Sequence, residues 1–131
     1  METTNYGYGK TVTYAFDQAI EATTQALQTQ GFGILTTIDV QAKMKEKLGK
    51  DMDRYVILGA CSPSSAFEAI QAEETIGLLL PCNVIVYQKN SEVIVSAMLP
   101  SVAMGFISNR KLHCIVQKIE PRLKAAIDVL S

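Results

Sequence analysis

The chain has 131 residues, 48% of them apolar, and a net charge of −1, which suits a single domain with a core of its own and excludes a disordered segment. Its 12 Lys and Arg are scattered among 13 Asp and Glu, so no basic face exists to neutralise phosphates, and non-specific nucleic-acid binding is excluded. Three cysteines, an odd number, do not suggest a secreted disulfide framework.

The N-terminal stretch METTNYGYGK is polar, with no apolar segment of the signal-peptide kind. The long uncharged run Val93 to Asn109 contains Pro100 and falls short of the roughly 18 apolar residues a membrane span needs. A cytoplasmic protein without membrane contact is expected.

Asn5–Val12 reads as a first strand, with Tyr6, Tyr8 and Lys10 on one face and Gly7 and Gly9 on the other. Thr13 suits a helix N-cap, and Phe16, Ala19, Ile20, Ala26 and Leu27 follow a helical period that Gly31 stops. Gly33–Ile38 is short and β-branched, hence a strand. Asp39 caps a helix over Val40–Leu48, which Gly49 ends. Arg54–Cys61 is the next strand. Ser62 followed by Pro63 opens a helix to about Ala72, and a loop or distorted turn near Glu73–Gly77 follows. Cys82–Gln88 and Glu92–Leu99, separated by Lys89-Asn90-Ser91, form a hairpin. The last segment, from Arg110, carries Leu112, Ile115, Val116, Ile119, Leu123, Ala126, Ile127 and Leu130 as one helical stripe. Pro121 and Cys114 fall on its back.

The order β-α-β-α-β-α-β-β-α predicts a two-layer α+β domain over residues 1–131, in which helices cover one face of a sheet. The later strands are apolar at both parities, with Tyr55 and Ile57 against Val56 and Leu58, and Ile85 and Tyr87 against Val84 and Val86. A sheet with one solvated face alternates apolar and polar residues. The far face, assigned Tyr6, Tyr8, Tyr55, Ile57, Ile85 and Tyr87, is therefore expected to meet a second subunit, a ligand or a short helix.

Few motifs carry chemistry. Gly7-Tyr8-Gly9-Lys10-Thr11 imitates the end of a phosphate loop, but Thr4 stands where the pattern needs its first glycine. His113, the only histidine, sits on the flank of the last stripe, and no nucleophile–base arrangement or metal cluster can be proposed. Glu73 and Glu74, being adjacent, point different ways. Cys61 ends a strand before a helix start, and Cys82 begins the next strand. Antiparallel pairing would bring both thiols to one sheet edge, where helix amides favour a thiolate at Cys61. Asn83, an amide in an apolar segment, is expected to be buried and hydrogen-bonded, pinning the loop before it or meeting a ligand.

YVILGACSPSSAFEAI (Tyr55–Ile70) followed by IGLLLPCNVIVYQ (Ile76–Gln88) resembles the signature of the domain-of-unknown-function family numbered 302. In that family an apolar strand leads through G-A-C-[NS]-P into a helix, then G-L-L-L-P-C-N-V and a further strand. The resemblance implies a small two-layer fold, laid out like TATA-binding-protein-like domains with a curved antiparallel sheet and a long helix. It implies no DNA binding, because that layout hosts unrelated functions, and it carries no established activity. The motif falls on Cys61, Pro63, Leu80, Pro81, Cys82 and Asn83, with Ser62 where many members have Asn.

The sequence thus predicts a non-catalytic binding or interaction domain, homodimeric, using the far face to meet a second subunit or an apolar small molecule. The alternative is a thiol-dependent function — redox, persulfide or soft-metal — at Cys61, Ser62, Pro63, Cys82 and Asn83. No catalytic residue, cofactor or complete metal site is assigned.

Overall fold

The structure, a computed structural model, describes residues 4–131; Met1, Glu2 and Thr3, which begin the polar N-terminal stretch, lie outside the described residues. Its elements in chain order are β1 (Gly7–Val12), α1 (Phe16–Thr29), β2 (Gly33–Asp39), α2 (Val40–Leu48), β3 (Tyr55–Cys61) and α3 (Pro63–Ala72). A 3-10 helix (Glu74–Leu79) follows, then β4 (Cys82–Lys89), β5 (Glu92–Met98), α4 (Pro100–Ala103) and α5 (Arg110–Asp128). The strands form one antiparallel sheet in the order β1-β5-β4-β3-β2, the α+β architecture expected. No helix among the described residues is long and apolar enough to cross a membrane.

Helices α1 and α5 cover one face of the sheet. The core between the layers takes Val56, Leu58, Val84, Val86, Val93 and Val95 from the strands, and Leu27, Leu123 and Ile127 from the helices. A second cluster packs Ala69 of α3, Ile76, and Met104 against Leu112, Ile115 and Val116 in the first half of α5. All eight residues of the α5 stripe are buried, and each large aliphatic side chain among them stabilises the fold by roughly 1.5–3 kcal/mol. Pro121 stands inside α5 on its exposed face, where water can reach the Gln117 carbonyl that its missing amide leaves without a helical partner.

Local chemistry sets most boundaries. The Asp39 carboxylate accepts from the Ala42 amide at 3.0 Å and starts α2 directly from β2, and Gly49 ends it with φ of 65°. The β4–β5 hairpin closes through Asn90 and Ser91, both left-handed at φ of 52° and 68°, with Lys89 opposite Glu92. Glycine is required at Gly9, where an added Cβ would stand 2.6 Å from the Val95 carbonyl and 2.7 Å from Ser96 Cβ. The glycines of the phosphate-loop look-alike thus serve a strand pairing.

Two boundaries differ from the sequence reading. Thr13 does not cap α1: its amide and hydroxyl donate to the Ser131 carbonyl at 3.2 and 3.1 Å, tying the end of β1 to the end of the chain. Ala15 takes the cap position, its amide donating to Gln18 Oε1 at 3.4 Å. The short α4 carries no apolar period to announce it; Pro100 at its first turn is its only signal.

Candidate functional site

Two sites follow from the sheet. The first is the thiol pair. Ala60 pairs with Cys82, so β3 and β4 bring both cysteines to one edge as the sequence predicts. Cys82 points to the helix side and is 4% exposed, while Cys61, one residue further along β3, is half-buried. Both border a small cavity of about 30 Å³ lined also by Phe32, Leu80, Met104, Leu112 and Ile115. That holds a water molecule or two and no ligand. Burial pushes the Cys61 thiol up; burial foremost, and then the charge of Cys61, pushes Cys82 up to about 11. Burial thus works against the thiolate expected at Cys61 from the amides of α3. Among the described residues no group of three His, Cys, Asp or Glu could hold a metal ion.

Ser62 occupies the N-cap of α3 without bonding its amides. Its hydroxyl donates to Ser65 Oγ at 3.4 Å, and both serines accept from Arg122 Nη2, at 3.4 and 3.3 Å. The same guanidinium donates to the Gln30 carbonyl at 3.0 Å and lies 5.1 Å from the centre of the Phe32 ring. Arg122 is the residue that sequence reading missed at this edge. Its signal was its place three residues after Ile119 and beside Leu123, on the border of the buried stripe.

The second site is the sheet face away from α1 and α5. By register it carries Asn83, Ile85 and Tyr87 on β4, Tyr55 and Ile57 on β3, and Ile94, Ser96 and Met98 on β5. With Tyr6 and Gly7 these strands form an open groove of about 480 Å³. Tyr55 and Tyr87 are direct cross-strand partners with stacked rings, 5.5 Å between centroids at 26°. Tyr6, at 65% exposure, forms one wall. Among the described residues no Asp, Glu, Lys, Arg or His lines the groove; its polar groups are the Asn83 amide and the hydroxyls of Thr4, Ser96 and the tyrosines.

A family model described as "Domain of unknown function DUF302" matches residues 8–130. The chain belongs to the DUF302 family. Its fold is also similar to the crystal structure of an uncharacterized conserved DUF302 protein from Bacillus stearothermophilus. That likeness has a TM-score of 0.90 at 30% identity and covers 98% of this chain and 100% of that one. A search of the curated proteins finds no match.

Within this DUF302 domain the signature divides between the two sites. Cys61, Ser62, Pro63 and Cys82 gather at the thiol edge, with Pro63 exposed on the first turn of α3. Asn83 does not join them: it is exposed on the open face, because neighbours along a strand point to opposite sides. Tyr8 is the second correction. It pairs with Ala97 on the helix side, its hydroxyl donates to Asp128 Oδ1 at 2.6 Å, and Lys124 Nζ lies 5.4 Å from its ring centre. Accepting that bond, Asp128 holds the Tyr8 phenol above its ordinary range. Tyr6 reaches the open face because it precedes β1 and is free of the strand's alternation. Tyr55, Ile85 and Tyr87 line the groove as expected, and Ile57 lies beside it as the cross-strand partner of Ile85. Ser96 and Met98, alternate residues of β5, complete the groove beyond the residues expected from the sequence.

Proposed function

We propose that this DUF302 domain is a non-catalytic binding module whose open sheet face receives a neutral, mainly apolar group. The observation that carries the reading is the groove: about 480 Å³, walled by tyrosines, floored by Ile85, and lined by no ionisable acid or base other than phenols among the described residues. Its volume lies within the roughly 300–1,000 Å³ of small-molecule sites, which also pair apolar walls with a few placed polar groups. Asn83 supplies such a group, able to donate and accept at the rim. A charged guest would lose hydration without gaining a counter-ion, so neutrality is the main selection.

The thiol edge supports its alternative less well. Its cavity is small, burial pushes both thiols up, and no base lines that cavity to raise their nucleophilicity.

The test uses N-phenyl-1-naphthylamine, an uncharged probe that brightens in apolar sites. The chain has no Trp, which keeps background emission low. Probe affinity should fall at least tenfold in Ile85→Lys and stay unchanged in Phe67→Ser, a change at an exposed apolar residue on α3. Equal binding by both variants would refute the reading.

A further inference from the structure

The groove on the open face has two chemically unlike ends. Asn83, Ile85 and Tyr87 alternate along β4 and line it together, so the first and last stand about 13 Å apart along the strand. At one end the stacked rings of Tyr55 and Tyr87 offer an aromatic surface. At the other, Asn83 is exposed and is the only carboxamide in the lining among the described residues. Ser96 lies diagonally from it, because Ser96 pairs with Ile85. Its hydroxyl is open to the groove because the neighbouring positions on β1 are glycines: a Cβ on Gly7 would stand 3.0 Å from Ser96 Oγ, and one on Gly9 2.8 Å. Among the described residues neither the Asn83 carboxamide nor the Ser96 hydroxyl has a hydrogen-bond partner.

We propose that the groove selects an elongated neutral small molecule with an aromatic body and one amide edge, a primary carboxamide or a lactam, and that Asn83 is the residue that reads the edge. This rests on the reading of the groove as a site for neutral apolar groups, and it names the chemical class of guest and the way it lies. The body rests on Tyr55 and Tyr87 with Ile85 under its middle, and the amide edge reaches Asn83. A carboxamide carries a donor and an acceptor side by side, so it meets an amide edge through two reciprocal hydrogen bonds. The guest carbonyl has a second lone pair, which accepts from the Ser96 hydroxyl. Other heads fit less well. A carboxylate brings a charge into a lining that holds no cation among the described residues, and it offers nothing for the Asn83 oxygen to accept. A wholly apolar guest strips water from the carboxamide and returns no hydrogen bond. The span of about 13 Å takes two rings in line bearing one amide.

The experiment is equilibrium dialysis of the wild-type chain against three compounds that share one body. They are biphenyl-4-carboxamide, its N,N-dimethyl amide, which has no N–H to donate, and biphenyl-4-carboxylate. The carboxamide should bind at least about tenfold more tightly than either of the others, and a smaller margin over either overturns the proposal. Two variants then test the residue. Asn83→Leu keeps the bulk at this exposed position and Asn83→Ala removes it, and thermal melts confirm that both are folded. In each, the margin over the dimethyl amide should fall below about threefold, because the side chain no longer donates or accepts. A larger margin kept in both variants assigns the recognition to another residue and overturns the proposal as well. N-phenyl-1-naphthylamine, which has no amide edge, separates this failure from that of the broader reading. A wild type that binds the naphthyl probe but takes the three biphenyls equally is an apolar site without amide selection. A wild type that binds neither the probe nor the carboxamide overturns both readings.

Discussion

Cys82 and Asn83 are adjacent, and the pleat sends them to different environments. Cys82 enters the core beside Ala60, where burial holds its thiol neutral to about pH 11, well above the ordinary 9.0. Raising the folded-state value above the unfolded one means that the native protein keeps a proton that the unfolded chain gives up. The resulting stability is complete below about pH 9 and is lost as the pH rises towards 11. The wild type should therefore lose up to about 2 kcal/mol more stability than Cys82→Ala between pH 8.5 and 11, measured by urea unfolding at each pH. Equal losses would show that the thiol titrates as freely in the fold as outside it. The same burial governs reactivity. At pH 7.5 iodoacetamide should label exposed Cys114 first, half-buried Cys61 much more slowly, and buried Cys82 only on unfolding. Prompt labelling of Cys61 would revive a thiol role.

Among the elements, α5 and α2 stand at opposite extremes of support. Asn109 caps α5 by accepting from the Leu112 amide at 3.1 Å, and its Nδ2 donates to the Ala72 carbonyl at 2.7 Å and Glu73 Oε1 at 2.8 Å. One side chain thus joins the start of α5 to the end of α3. Asn109→Ala should cost about 1–2 kcal/mol in chemical denaturation, and a change under about 0.3 kcal/mol would contradict that linking role. The α5 stripe was legible because seven of its eight positions lie inside one uninterrupted helix and the eighth, Leu130, follows just beyond its end. The Asp39 and Gly49 limits of α2 were legible for the same local reason, since cap and stop each act within a turn of the chain. The Thr13 cap was not, because its competing partner is the Ser131 carbonyl at the far end of the chain. Tertiary hydrogen bonds of that span leave no mark in the local pattern.

At the scale of the whole molecule, the apolar residues at both strand parities were the informative sign. They required a sheet with something to offer on each face, and Tyr55, Ile85 and Tyr87 do line a groove there. What the pattern could not resolve was membership at the margins. Tyr8 lies under α5 rather than on that face, and Asn83 lies in the groove rather than at the thiol edge. The face of Tyr8 is decided only by its register against β5, whereas alternation along β4 alone already places Asn83 with Ile85 and Tyr87 and away from Cys82. The site itself has no motif, because a groove made from separate segments depends on strand order β1-β5-β4-β3 rather than on spacing along the chain.

The central claim, that the open face is where this DUF302 domain binds, is tested most directly by methyl resonances of Ile- and Met-labelled protein. They would be followed on titration with N-phenyl-1-naphthylamine. The claim predicts that Ile57, Ile85 and Met98 shift while Ile119 and Ile127, in the core under the helices, stay in place. Shifts centred instead on Met104 and Ile115, which line the thiol cavity, would contradict it and move the site to the other edge of the sheet.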